Sequence, residues 1–311
     1  MLPEDMGKLG RMGQRLRRHV YWARRDGLGR VIEEDDLNPR ERLSTAWRKY
    51  RWRSQHGVTP GTGRAVFLVG LQRSGTNMVV KGLEHSPAVE LHNENDRRVF
   101  DRFQLRSDAI VRETVLRSRH QIVLFKPLSD SHNTVHLLEG LGLPTAPRAI
   151  WAYRNVDDRV RSAVAKFGDV NRRVLIEIAE GRAADRWQAQ GLSDETLDLV
   201  RRCDPQQLST NSAAALFWVV RNGLFFEQQL QDRSDVHLVS YERVISEPED
   251  SMRTLAAFVG LPYSADLAAH IDGRASGERA PLDLDPQVRA AADTLAERLD
   301  EVERARHART V

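Results

Sequence analysis

The residues best suited to chemistry lie in Phe67-Leu-Val-Gly70-Leu-Gln-Arg73-Ser74-Gly75-Thr76-Asn77-Met-Val-Val80, where an apolar run meets a glycine-bounded loop and a helical pattern follows at once. A strand that turns straight into a helix aims several backbone N–H groups at one spot beside the helix's positive end, which suits a phosphate. Arg73, Ser74 and Thr76 add a cation and two hydroxyls there, more than a tight turn alone requires. The Gly70-to-Gly75 spacing equals that of the triphosphate loop G-x-x-x-x-G-K-[ST]. However, Thr76 stands where that motif has Lys, and Asn77 where it has the magnesium-holding Ser or Thr. The expectation is phosphate binding without magnesium. A second candidate is Trp151-Ala-Tyr-Arg154-Asn155-Val-Asp-Asp158-Arg-Val-Arg-Ser162, in which a strand ends in Arg and a helix with an acidic first turn carries a hydroxyl eight residues on. An Arg fork and a hydroxyl suit a dianion. Lys166, a helical turn beyond Ser162, adds charge to the same face.

Gly70-Leu-Gln-Arg-Ser-Gly-Thr-Asn77 resembles the loop with which sulfotransferases bind the 5′-phosphosulfate of 3′-phosphoadenosine 5′-phosphosulfate (PAPS). The family commonly has Pro before the Arg and a second Thr after the first, so Gln72 and Asn77 depart from its pattern. The resemblance implies that Arg154, Ser162 and Lys166 bind the 3′-phosphate, and that Arg73, Ser74, Gly75, Thr76 and Asn77 cradle the 5′ end. It also implies a PAPS-dependent sulfotransferase whose product is adenosine 3′,5′-bisphosphate and which uses no metal. A third stretch, Val239-Ser-Tyr241-Glu242 onward to Leu261, is similar to the family's late strand and helix and reads as packing. The likeness covers roughly residues 65–263, nearest in motif to tyrosylprotein-type and bacterial sulfotransferases.

Sulfuryl transfer to a hydroxyl needs a base and positive charge around the transferring oxygens. In Val89-Glu90-Leu91-His92-Asn93-Glu94-Asn95-Asp96 an extended chain would turn His92, Glu94 and Asp96 to one side. The resemblance places a catalytic Glu at Glu94, with His92 as the rival base. Lys126 ends the apolar run Ile122–Phe125, and the carboxyl ends of strands are where open α/β sheets place ligands. Only five of 47 cations are Lys, which adds weight to Lys126 as a transition-state cation alongside Arg73. His120, His132 and His136 lack metal-ligand spacing, and no metal site is expected.

These residues need elements to position them. AVFLVG (65–70), AVEL (88–91), IVLF (122–125), RAIWAY (148–153) and VHLVS (236–240) are short, apolar and not alternating, as strands covered on both faces are. Helical patterns separate them. Asn211 to Leu230 follows the cap candidates Ser209 and Thr210, and Met252, Leu255 and Val259 form a stripe. The expected fold is a three-layer α/β domain with a mainly parallel central sheet. Residues 1–64 form a helical, basic N-terminal extension and linker, 65–284 the sulfotransferase domain with a helical insertion at 168–208, and 285–311 a C-terminal helix. That helix starts at Asp285-Pro286 and aligns Val288, Ala292, Leu295, Leu299 and Val302, a face for its own domain or, as the alternative, for a second copy in a homodimer. Arg274, Ser276 and Gly277 lie in a loop of the kind that closes over the nucleotide.

Composition narrows the classes further. With 41% hydrophobic and 29% charged residues among 311, the chain is globular, not collagen-like or low-complexity. It lacks an apolar run near the roughly 18 residues of a membrane span and a secretory h-region, and Cys203 is its sole cysteine, so a cytoplasmic protein is expected. The net charge of +3 hides a basic head, which opens peripheral contact with a membrane; interleaved acids such as Glu33-Glu34-Asp35-Asp36 argue against nucleic acid. The acceptor is read as a hydroxyl of a small molecule, lipid or saccharide. The competing readings are a P-loop-type kinase, which would require magnesium, and a non-enzymatic nucleotide- or anionic-surface-binding protein.

Overall fold

A computed structural model describes residues 39–271 and 279–307. The chain divides into two compact units, Met1–His56 and Gly57–Val311. In the first, the described part is one helix, α1 (Pro39–His56). The second holds five strands in one parallel sheet: β1 (Arg64–Gly70), β2 (Val89–His92), β5 (Ile122–Phe125), β6 (Arg148–Tyr153) and β7 (Val236–Ser240), in the order β2-β5-β1-β6-β7. β1 is central and Ala65 to Val69 are wholly buried, which is why its run shows no polar alternation. Each apolar run of the sequence became a strand within one residue of its expected bounds.

Parallel neighbours require crossovers, and helices supply them. They are α2 (Thr76–Glu84) after β1, α3 (Asp108–Arg117) before β5, α4 (Thr134–Glu139) before β6, and α5 (Val156–Phe167), α6 (Val170–Ala179), α7 (Asp194–Arg202) and α8 (Thr210–Glu227) between β6 and β7. α9 (Tyr241–Ser246), α10 (Pro248–Val259) and α11 (Pro286–His307) follow. α2 packs with α10, while α5, α6 and α11 gather around the largely buried α8. The expected three-layer α/β architecture is therefore present. Ser209 caps α8 by accepting from Ser212 N–H, and the helix ends at Glu227, short of Leu230, because Gln229 turns left-handed at φ 55°. The segment 168–208 is helical and contains no strand.

Asp285 caps α11, its Oδ1 accepting from Gln287 N–H at 3.0 Å and Val288 N–H at 3.2 Å. Val288, Ala292, Leu295 and Leu299 are buried, and the helix packs on α8 and β7 of its own unit. Across 97–118, expected from the sequence to be a loop, there are instead a small hairpin of β3 (Phe100–Asp101) and β4 (Gln104–Leu105) and the helix α3. The hairpin's turn residues Arg102 and Phe103 take positive φ without a glycine, so no turn signal announced it. Arg274, Ser276 and Gly277 lie outside the described residues, as does the basic head before Pro39. No helix among the described residues is long and apolar enough to cross a membrane.

Candidate active site

Parallel pairing sets the carboxyl ends of all five strands along one edge of the sheet, where an open α/β sheet forms its crevice. β1 ends at Gly70, φ 115°, where a Cβ would lie 2.3 Å from the Ala152 carbonyl oxygen of β6; only glycine lets the strands pass. Ser131 Oγ accepts from Gly70 N–H at 2.9 Å and donates to the Leu128 carbonyl at 2.8 Å, fixing the loop's entry. Arg73 and Gly75 both take positive φ. Gly75 is the N-cap of α2 and supplies no side-chain acceptor; its carbonyl accepts from Met78 N–H at 2.9 Å, which leaves the Thr76 and Asn77 amides at the helix start suited to an anion. Ser74 is 1% exposed with its Oγ unpartnered among the described residues, a buried hydroxyl aligned with that role.

The loop at the end of β1 meets the one at the end of β6. Arg73 Nε donates to Ser162 Oγ at 2.8 Å, so the first anion motif is bonded to the second. Arg154 lies over the Tyr241 ring at 4.1 Å and 3.5 Å from Asp158, and its buried Nε has no hydrogen-bond partner among the described residues. Tyr241 in turn abuts Gly75, where an added Cβ would sit 2.3 Å from Cδ2. The late strand, read from the sequence as packing, thus supplies the ring between the two motifs. Gly75→Ala should combine that clash with a left-handed backbone. We expect a loss of roughly 1–3 kcal/mol of stability, read by denaturant unfolding.

Positive charge accumulates here. Arg159, absent from the sequence candidates, is 1% exposed, reaches the Gln72 carbonyl at 3.4 Å and the Ala214 carbonyl at 3.0 Å, and stands over Phe217. Burial, then the nearby Arg73, pushes its pKa down. Its signal in the sequence was a charge on α5's apolar stripe of Val156, Val160 and Ala163. Lys126, 8% exposed, is lowered by burial and by Arg73, with Glu94 opposing. Lys166 is half-buried one turn beyond Ser162 on α5.

On the other flank, Lys126 Nζ donates to Asn77 Oδ1 at 2.5 Å and lies 3.9 Å from Glu94 Oε2. The departure of Asn77 from the family pattern therefore has a use: its amide oxygen receives the ammonium. Burial raises Glu94 from 4.5 to about 7 against the pull of Lys126, and Asp130 raises it further. Asp130 is itself raised to about 6 by burial while accepting from Leu105 N–H at 2.8 Å and Gln104 Nε2 at 3.5 Å, which ties the β3–β4 hairpin to the site.

The expected extended run through Asp96 is corrected. β2 ends at His92 and the chain turns at Glu94 and Asn95, so His92, Glu94 and Asp96 do not share a strand face. His92 is 2% exposed, with Nδ1 2.8 Å from Asp96 Oδ2 and Nε2 3.5 Å from Glu90 Oε1, and its ring stacks on Phe125. Desolvation works to raise Glu90, but hydrogen bonds to His92 and Ser118 outweigh it and hold it down to about 2. Both ring nitrogens of His92 thus face carboxylates, whereas Glu94 lies beside Lys126.

A parallel sheet whose central strand runs through a Gly-bounded loop straight into a helix defines a P-loop-like α/β architecture. Residues 64–278 match the sulfotransferase domain, and the chain belongs to the sulfotransferase family. Among solved structures it is similar to a sulfotransferase from Alicyclobacillus acidocaldarius, at 14% identity over 78% of this chain and 96% of that one, TM-score 0.43. It is also similar to the sulfotransferase domain of the curacin biosynthetic pathway, at 13% identity over 75% and 98%, TM-score 0.43. A mouse sulfotransferase complexed with PAP matches at 13% identity over 82% of this chain and 87% of that one, TM-score 0.36. No curated protein matches the sequence.

Proposed function

We propose that the chain is a PAPS-dependent sulfotransferase acting on a hydroxyl acceptor, with Glu94 as general base. The observation that carries this reading is the Arg73–Ser162 hydrogen bond, because it joins a 5′-type anion loop to an Arg-and-hydroxyl motif that suits a second phosphate. The donor set fits PAPS. The buried Ser74 hydroxyl and Arg154 Nε, both without partners among the described residues, and the first turn of α2, which lacks a side-chain cap, offer anion contacts at both motifs. When bound, PAPS supplies a sulfonate already activated on a phosphoanhydride.

Arg73, Ser74, Gly75, Thr76 and Asn77 would hold the 5′ end, and Arg154, Ser162 and Lys166 the 3′-phosphate. Arg159 pins Gln72 and so keeps the loop in shape. Glu94, with its pKa near neutrality, is poised to take the acceptor's hydroxyl proton onto its carboxylate. The buried Lys126 and the half-buried Arg73 would place positive charge beside the reacting oxygens, where shielding from water makes it most effective. Lipid, saccharide and small-molecule hydroxyls all remain within this reading.

A thermal-shift comparison tests it. Adenosine 3′,5′-bisphosphate should raise Tm without magnesium, and ATP should do so much less, with or without the metal. Arg154→Ala should remove most of the advantage of the bisphosphate over adenosine 5′-phosphate. A magnesium-dependent ATP shift that exceeds the bisphosphate shift would establish the phosphoryl-transfer reading instead.

A further inference from the structure

Outside the anion site, the described large hydrophobics most open to solvent fall mainly on one helix. Leu43, Trp47 and Tyr50 of α1 are 72%, 63% and 62% exposed. Their spacing, i, i+4 and i+7, places them on one face. Arg51 and Arg53 flank that face and lie against its rings, Arg51 at 5.7 Å from the centre of Trp47 and Arg53 at 5.8 Å from that of Tyr50. From Leu43 to His56 the helix carries Arg48, Lys49, Arg51 and Arg53 and no Asp or Glu. Leaving such a stripe in water is unfavourable, and a row of this kind marks an interaction surface.

We infer that this face of α1 docks on an anionic phospholipid surface. Charge complementarity selects the partner: an acid-free segment with arginines bordering its apolar row suits a layer that is negative outside and hydrocarbon within. The side chains match that depth profile. Leu43 gains from acyl chains, Trp47 and Tyr50 suit the headgroup level with their apolar rings and polar ends, and guanidinium groups reach phosphates from the flanks. Nucleic acid would use the cations and could stack the two rings, but it offers an aliphatic Leu nothing comparable. The inference stands on α1 alone and is independent of the nucleotide reading.

Co-sedimentation of the full chain with vesicles tests it. Phosphatidylcholine–phosphatidylserine vesicles should bind at least ~10-fold more tightly than phosphatidylcholine alone, with the difference lost in high salt. The combined Leu43→Ser, Trp47→Ser and Tyr50→Ser variant should lose at least ~10-fold of the binding to the anionic vesicles, at roughly 0.8 kcal/mol or about fourfold per buried methylene-sized group. Its ligand-free thermal unfolding midpoint should be unchanged, showing an intact fold. Absence of sedimentation, equal binding to both lipids, or retained binding by the triple variant overturns the proposal. So does lipid-free self-association that the triple variant abolishes, which would give the face to a second copy. Duplex-DNA binding that the triple variant abolishes, without vesicle binding, would give it to nucleic acid.

Discussion

Glu94→Gln is expected to lower turnover by about 10²–10⁴-fold, the range for losing a positioned general base, while the bisphosphate still binds. The side chain keeps its shape and loses only its capacity to hold a proton. The same group predicts the pH profile. With Glu94 near 7, kcat/KM should fall roughly tenfold per unit on the acid side of neutrality, because only the carboxylate accepts the proton. Stability should move the opposite way. Its folded pKa is raised above 4.5, so between about 4.5 and about 7 the folded state holds a proton that the unfolded chain releases. The fold therefore loses stability as pH rises through that window, by about 3 kcal/mol in all. Glu94→Gln should recover much of this, so denaturant midpoints at pH 8 should rise as activity disappears. Retained turnover would remove Glu94 from the mechanism; lost turnover with lost stability would assign it a structural role.

Lys126→Ala should cost about 10²–10³-fold in turnover and much less in bisphosphate affinity, as expected of a buried cation that acts on developing charge. It should also move the acid limb of the pH profile to higher pH, since Lys126 is the cation that draws Glu94 down. That displaced limb separates an electrostatic role from simple loss of packing. Should affinity fall and turnover survive, Lys126 is a binding residue and not a transition-state one.

The sheet was legible in the sequence because five apolar runs lacked polar alternation, a consequence of burial on both faces that is complete in β5 and in β1 from Ala65 onward. Gly70 and Gly75 were equally readable, since close approach of Ala152 and Tyr241 and positive φ leave few other residues able to occupy them. The β3–β4 hairpin was not: Arg102 and Phe103 adopt turn conformations that their types do not advertise. Nor was the role of Tyr241, whose spacing after β7 fits a packing residue until the fold sets its ring between Gly75 and Arg154.

His92 and Glu94 show where sequence reasoning ends. Both were candidates on the premise of an extended chain, and both are two residues apart in an acidic stretch. The turn after His92 sends the imidazole toward Glu90 and Asp96 and leaves Glu94 beside Lys126. Local patterning specifies which residues form strands and which loop can receive an anion, because those properties depend on neighbours along the chain. Charge environment depends on groups 32 to 86 positions apart, such as Glu94, Lys126 and Arg73 with Arg159, and only the folded sheet brings those together.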